Sequence, residues 1–273
     1  MALQAHRPSS PRVMGFLLLY TVRRDWRGLL GWIVGFGLTC AVVVWSFPIF
    51  KDSIASLTGS LSPTTRALFG LSGSGATLQS WLAINVLNSV GPLVIAGYGA
   101  WLGASAVAGP QEHQMLDLLM ANPVSRRTFI WRAFFSLTME ILIIVVGTSV
   151  FMALAALTID TSFSYTDLLA GCLNLLPMSM AFGGLALLLA VLSRASVVSA
   201  GISSGILFIS YIANAIFSTL PRFHWLSHLT AFFYYGSAIE RGIDWSGVVI
   251  LSIVSLGCVA MGDIIFQRRD IYT

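Results

Sequence analysis

Charge is what this sequence has least of. Asp, Glu, Lys and Arg together make up 10% of its 273 residues, where soluble domains average about 25%. That deficit excludes a water-soluble enzyme or a nucleic-acid module, and a hydrophobic content of 56% excludes a disordered chain. Lysine is nearly missing: fourteen of the fifteen basic residues are Arg, and Lys51 stands alone between Phe50 and Asp52. A Walker A phosphate loop needs a lysine after glycine and before Ser or Thr. This chain therefore has no ATP site of that kind. Cysteine is also sparse. Cys40, Cys172 and Cys258 lie far apart in apolar runs, with no C-x-x-C pair to suggest a disulfide framework or a zinc site. His113, His224 and His228 show no metal-ligand spacing, so no bound metal is expected. The sequence shows no internal repeat, low-complexity segment or soluble domain.

Long apolar runs are what is present. A helix crosses the hydrocarbon core in about 20 such residues, and six runs qualify: Leu29–Phe47, Leu82–Ala108, Phe129–Leu157, Leu168–Leu192, Val197–Leu220 and Val248–Phe266. The expected fold is an all-α polytopic membrane protein, with residues 1–273 as a single transmembrane domain. A shorter apolar arm, Val13–Tyr20, runs into Arg23, Arg24 and Arg27 without a cleavage pattern, which suits an interfacial helix over 13–27 better than a signal peptide or a seventh span.

Arginine placement sets the orientation. With the N-terminus inside, Arg7, Arg12, Arg23, Arg24, Arg27, Arg126, Arg127, Arg132, Arg194, Arg268 and Arg269 fall on the cytoplasmic side, and only Lys51, Arg66, Arg222 and Arg241 on the other. Positive residues concentrate on cytoplasmic loops, so both termini are expected in the cytoplasm, most simply of a bacterial inner membrane. Two long outer loops, Pro48–Trp81 and Pro221–Trp245, carry apolar residues at helical spacing (Ile54, Leu57, Leu61; Trp225, Leu229, Phe232). Trp225, Phe232, Phe233, Tyr234, Tyr235 and Trp245 read as an outer aromatic belt.

Within the spans, Glu140 lies about 18 Å into the third run, near the bilayer centre by helical rise. An intramembrane carboxylate is a functional candidate or a hydrogen-bonded strut. Asn85, Asn88, Asn174 and Asn214 are expected to face the bundle or a dimer interface. Gly201-Ile-Ser-Ser-Gly205 matches the nucleophile-elbow pattern, but that motif requires a strand-to-helix turn with Asp and His partners. Inside an apolar run it reads as a G-x-x-x-G face for close helix approach, as do Gly31/Gly35 and Gly99/Gly103. No pair of broken helices in related halves is evident, which weighs against an ion-coupled carrier built around Glu140.

The inner loop after the second run, Gln111-Glu-His-Gln-Met-Leu-Asp-Leu-Leu-Met-Ala-Asn-Pro-Val-Ser-Arg126, spaces apolar residues around Asp117 as a short amphipathic helix, stopped by Pro123. Such a helix suits docking of a soluble partner. This loop resembles that of the ABC-2 type permeases, which carry E-E-x-G-T-L-E-L-L-L-S-x-P-V-S-R between spans two and three. Glu112, Leu116, Asp117, Leu118, Leu119, Pro123, Val124, Ser125 and Arg126 agree in identity or type. Gln111, Gln114 and Met115 stand where the family has Glu, Gly and Thr. Arg66-Ala-Leu-Phe-Gly70, Phe232-Phe-Tyr-Tyr235, Gly242-Ile-Asp-Trp245 and Phe266-Gln-Arg-Arg-Asp-Ile271 extend the likeness along the chain. The resemblance implies a non-catalytic exporter subunit that pairs with itself or a sibling and with two ATP-binding subunits. ATP and Mg would be bound on those partners, with no cofactor on this chain. Glu112, Leu116, Asp117, Leu118, Leu119, Pro123 and Arg126 would form the coupling helix, with Glu140, Asn85 and Asn88 as polar groups of the pathway or bundle. An importer permease is a nearer rival than an intramembrane hydrolase at Ser203, but its coupling loop comes late, and here the late inner loop Ser193–Ser196 is too short.

Overall fold

The computed structural model describes residues 26–60, 77–112, 126–159, 163–220 and 223–268. Apolar chain in lipid has no water to satisfy its peptide groups, so it forms helices that bond internally, and no strand occurs among the described residues. The helices are α1 Trp26–Ser60, α2 Leu78–Leu82, α3 Val90–Glu112, α4 Arg126–Ala156, α5 Tyr165–Leu173, α6 Leu175–Ser193, α7 Ser196–Thr219, α8 His224–Ser227, α9 Ala231–Tyr235, α10 Ala238–Arg241 and α11 Trp245–Arg268. A π-helical turn, Ala83–Leu87, separates α2 from α3. Six segments among them are long and apolar enough to span a membrane. The protein is a multi-pass all-α membrane protein.

Side-chain pairings give the helix directions. Ile33 meets Gly147 and Phe151 lies against Gly37, and Trp45 Nε1 donates to Thr158 Oγ1 at 2.9 Å, so α1 and α4 run parallel. Ser203 Oγ donates to the Phe182 carbonyl at 2.9 Å, where α7 returns antiparallel to α6. The alternation gathers Arg27, Arg127, Arg194 and Arg268 at one end of the bundle, here termed inner, and Lys51 and Arg241 at the other.

The bundle is built around α6. The span made of α5 and α6 has 67% of its apolar window buried, against 33% for α1 and 28% each for α7 and α11. Close approach to α6 comes from glycine. A Cβ on Gly99 would sit 2.9 Å from the Ser179 carbonyl oxygen, and one on Gly103 would collide with the Gly183 carbonyl. Gly184 similarly admits α11: a Cβ on it would sit 3.0 Å from the Ser255 carbonyl oxygen. These small-residue contacts bring backbones together where lipid supplies no hydrophobic drive between helices.

Three expectations are corrected. The first span does not stop at Phe47: α1 continues through Pro48 to Ser60, into the stretch read as an outer loop. Proline removes a ladder bond, here the one to the Val44 carbonyl, and beside it the Val43 carbonyl accepts from Ser46 Oγ at 2.7 Å and Trp81 Nε1 at 2.9 Å. Neighbouring polar groups of this kind make proline tolerable in membrane helices. The second run, read as continuous from Leu82 to Ala108, is interrupted by the π-turn and two further turn residues before α3 begins at Val90. The fourth is split at Asn174, between α5 and α6. Pro92 and Pro177 each fall in the first turn after the break, where the missing N–H costs nothing. Two broken spans therefore exist where none was read. They are spans two and four, not the corresponding members of two three-helix halves.

Candidate coupling and translocation elements

Among the described residues, buried polar side chains stand at three levels of the bundle. The outermost joins the two broken spans. Asn88 N donates to the Ala83 carbonyl at 2.8 Å and Ser89 Oγ to the Ile84 carbonyl at 2.7 Å, both five residues back. The Leu87 carbonyl is taken by the Tyr235 hydroxyl at 2.6 Å. The Tyr235 carbonyl in turn accepts from Asn174 Nδ2 at 2.7 Å, so one residue of α9 ties the break in span two to the break in span four. Burial pushes the Tyr235 phenol above its ordinary range, with Cys172 adding to the shift; the hydroxyl stays protonated and keeps donating. Asn88 Nδ2 donates to Ser237 Oγ at 3.0 Å, while Asn85 Nδ2 returns to its own helix, at the Trp81 carbonyl, 2.9 Å away. Gly171 and Gly247 make room for this cap: Leu87 and Ile239 crowd the first, and the Tyr234 carbonyl the second.

The middle layer holds Glu140, buried at 5% exposure near the centre of α4. Ser136 Oγ donates to its Oε1 at 3.4 Å, one turn back. Ile141, the next residue, touches Gly99. That places Glu140 about 16 Å along α3 from Asn88 by helical rise. The structure does not bring Glu140 and the two asparagines into one site.

The inner layer carries the second buried carboxylate. Asp263 of α11 is 6% exposed. Its Oδ1 accepts from Gln267 Nε2 at 2.7 Å and its Oδ2 from Trp131 Nε1 at 3.3 Å, with Arg127 Nε 3.6 Å away. Around it, Val107 and Ala108 of α3, Ile130 and Phe134 of α4, Leu187, Ala190 and Val191 of α6, and Val259 and Phe266 of α11 form a core cluster of their own. Phe129 stacks on Phe266 at 6.0 Å. The end of α3 and the start of α4, which bracket residues 113–125, thus emerge from one packed unit.

Residues 18–267 match the model of the C-terminal domain of the multidrug efflux system permease Rv1217c. The chain belongs to that family. No curated protein sequence matches it. An efflux-permease assignment agrees with six membrane-crossing helices and places the protein among transport subunits rather than enzymes.

Against this efflux-permease frame, the sequence-predicted residues fall into two groups. Glu112 is the last residue of α3 and Arg126 the first of α4. Leu116, Asp117, Leu118, Leu119 and Pro123 lie outside the described residues, as do the interfacial arm before Trp26 and residues 269–273. Asn174 and Asn214 face protein: Asn214 Oδ1 accepts from Thr230 Oγ1 at 3.0 Å. Ser203 is buried with its hydroxyl committed to Phe182, so it is not presented as a nucleophile. The aromatic belt is divided. Trp225, Phe233 and Trp245 are exposed, but Phe232 and Tyr235 are buried, because α9 folds into the outer end of the bundle instead of lying along it.

Asp263 and Tyr235 are the functional candidates that sequence reasoning missed. Asp263 carries the same signal as Glu140, an acid inside a predicted span, and that signal could have found it. Tyr235 had no such mark, since an interfacial and a buried tyrosine read alike.

Proposed function

We propose that this chain is the membrane subunit of an ATP-driven drug exporter of the ABC-2 type. Two copies form the translocation pathway, and two separate ATP-binding subunits dock on the inner face of a bacterial cytoplasmic membrane. The observation that carries the reading is the inner end of the bundle. There α3 and α4 leave one packed cluster to bracket residues 113–125, the segment whose sequence reads as a coupling helix.

The missing phosphate loop puts ATP and Mg on the partners. The family's efflux permease supports amphipathic, drug-like cargo moving outward. Support for pairing comes from glycine faces that the bundle leaves open. Among the described residues, a Cβ on Gly28, Gly31, Gly35, Gly201 or Gly205 would meet nothing within 4 Å. On α1, Gly28, Gly31, Trp32, Gly35, Phe36 and Thr39 line an open groove of about 520 Å³. A second copy laid on these faces would bury them as Gly99 and Gly103 are buried within the chain. Glu140, Asn85 and Asn88 are assigned to bundle polarity near the pathway.

The test is co-purification of the ATP-binding subunit with Leu118→Asp. Loss of the partner, with membrane insertion intact, is the expected result; an undiminished complex removes the docking role. Glu140 supports a second reading, an ion-coupled carrier. Transport by this chain alone in liposomes, driven by a pH gradient and lost in Glu140→Gln, would establish that reading in place of the first.

A further inference from the structure

Besides its contact with α9 in the outer cap, α11 meets α6 and α4, and these two junctions are made differently. Toward α6 the contact is backbone-close and unbroken. Ser255 Oγ donates to the Met180 carbonyl at 2.7 Å, Gly184 admits the Ser255 carbonyl, and Gly262 packs on Leu187 and Leu188. Toward α4, at the inner end, the Asp263 side chain makes the polar contacts. Asp263 holds Trp131 and Arg127, both within the first two turns after residues 113–125, while Gln267 braces its other oxygen from one turn farther along α11.

A carboxylate at this depth is costly, and an apolar side chain would fill the volume as well. What it adds is direction. Apolar contacts let a helix rotate or slide, whereas Trp131 Nε1 reaches Asp263 Oδ2 at only one rotation of α4 about its axis. The Arg127 side chain is 72% exposed while Asp263 is not, so the guanidinium stays at the wet inner surface and reaches in, as cationic side chains at helix ends do.

We infer that Asp263 is a positioning residue that clamps the first turns of α4 to α11, so that displacement of residues 113–125 moves α4, α11 and, through Ser255, α6 as one body. The inference rests on the reading of 113–125 as the ATPase-docking segment. Without the clamp, the docking segment would still be carried by α3 and α4, but its movement would dissipate as rotation of α4 against α11. Asp263 touches no cargo and takes part in no chemistry; its role is coupling.

The experiment uses the permease co-expressed with its ATP-binding partner and reconstituted in vesicles, with ethidium as the cargo. Three quantities are read: ATPase co-purification, basal ATP hydrolysis, and ethidium-stimulated hydrolysis together with ethidium transport. For Asp263→Leu and for Trp131→Phe, which keeps an aromatic side chain and removes the donor, the complex and basal hydrolysis should stay within about twofold. Stimulation and transport should fall about tenfold, equivalent to about 1.4 kcal/mol of coupling. Asp263→Asn retains an acceptor for Trp131 and should be intermediate. A structural role alone would lower all three readouts together. If Asp263→Leu fails to insert, Trp131→Phe decides the matter, because it keeps an aromatic side chain at this half-buried position and leaves the carboxylate in place. Transport at the parent level in Trp131→Phe, with its complex intact, overturns the clamp. A parent chain that retains no ATPase overturns the exporter reading instead, and the two failures are distinguishable by that first readout.

Discussion

Gly99/Gly103 and Gly31/Gly35 have the same spacing, lie in consecutive spans and occupy opposite environments. The first pair is pressed onto α6, where added Cβ atoms would strike the carbonyls of Ser179 and Gly183. The second pair, with Gly201/Gly205 on α7, opens outward, and an added Cβ there would meet nothing within 4 Å among the described residues. The G-x-x-x-G spacing therefore marks a helix face that wants a close neighbour without saying whose helix that is. Where the neighbour lies in the same chain, glycine serves folding; where none is present, it is available for assembly.

The strongest way to break this contrast is Gly103→Val. Its side chain has only backbone to move against, and overpacking of this sort costs about 1–3 kcal/mol or more. Thermal unfolding in detergent should show a large loss of stability, with the α3–α6 crossing opened. A parent-like melt would mean that the two glycine pairs are not different in kind.

Next in size is Tyr235→Phe, which sharpens the difference between the tied outer cap and the open faces. It leaves the buried Leu87 carbonyl without its hydroxyl donor, an orphaning that costs about 1–3 kcal/mol. Hydrogen exchange at residues 83–90 should accelerate, while exchange in α7 stays put. Equal acceleration in both would show that the cap does not stabilise the break locally.

Gly35→Leu combined with Gly205→Leu probes the outward faces. Monomer stability should be unchanged or slightly raised, since leucine favours helix more than glycine by about 1 kcal/mol at most. Self-association, followed by cross-linking across a dilution series in lipid, should weaken about tenfold, or about 1.4 kcal/mol. Unaltered association would assign those faces to lipid.

The smallest effect is expected at the start of α11, where Asp244 Oδ1 accepts from the Ser246 hydroxyl at 2.6 Å and the Ser246 N–H at 3.0 Å. These bonds, the hydroxyl first, hold the Asp244 carboxyl below its usual value of 3.8. Because the folded-state value is the lower one, its contribution is complete above the unfolded value and is lost as pH falls through the folded one. Asp244→Ala should remove a small stability increment at neutral pH that the parent loses only in acid. A difference that persists unchanged at low pH would deny the carboxylate that part.

Much of the architecture was legible in the residues. Six apolar runs became six spans, and Glu140 was correctly placed as a buried acid in the third. The misreadings share one physical cause. Pro48, Asn88 and Asn174 interrupt or threaten a helix ladder, and whether the chain bends, breaks or continues depends on what satisfies the freed groups. At Pro48 the ladder donor to the Val44 carbonyl is missing, yet Ser46 and Trp81 bond the adjacent Val43 carbonyl and the helix goes on. At Leu87 the freed carbonyl finds Tyr235, a residue nearly 150 positions away, and the span breaks. Local pattern cannot report a partner that distant. For the same reason Tyr235 read as one more aromatic of an interfacial belt.

Composition alone determined that this protein lives in a membrane, because 10% charge cannot clothe a fold in water. The solitary lysine alone removed a phosphate loop from the chain. Those conclusions needed no geometry, since they follow from how many groups of each kind exist. The tertiary structure decided which equivalent groups face one another: which glycine pair is buried, which tyrosine leaves the interface, and which carboxylate joins α4 to α11. Hydrogen bonds and close packing are matters of a few ångströms between residues far apart in sequence, and only the folded chain sets those distances.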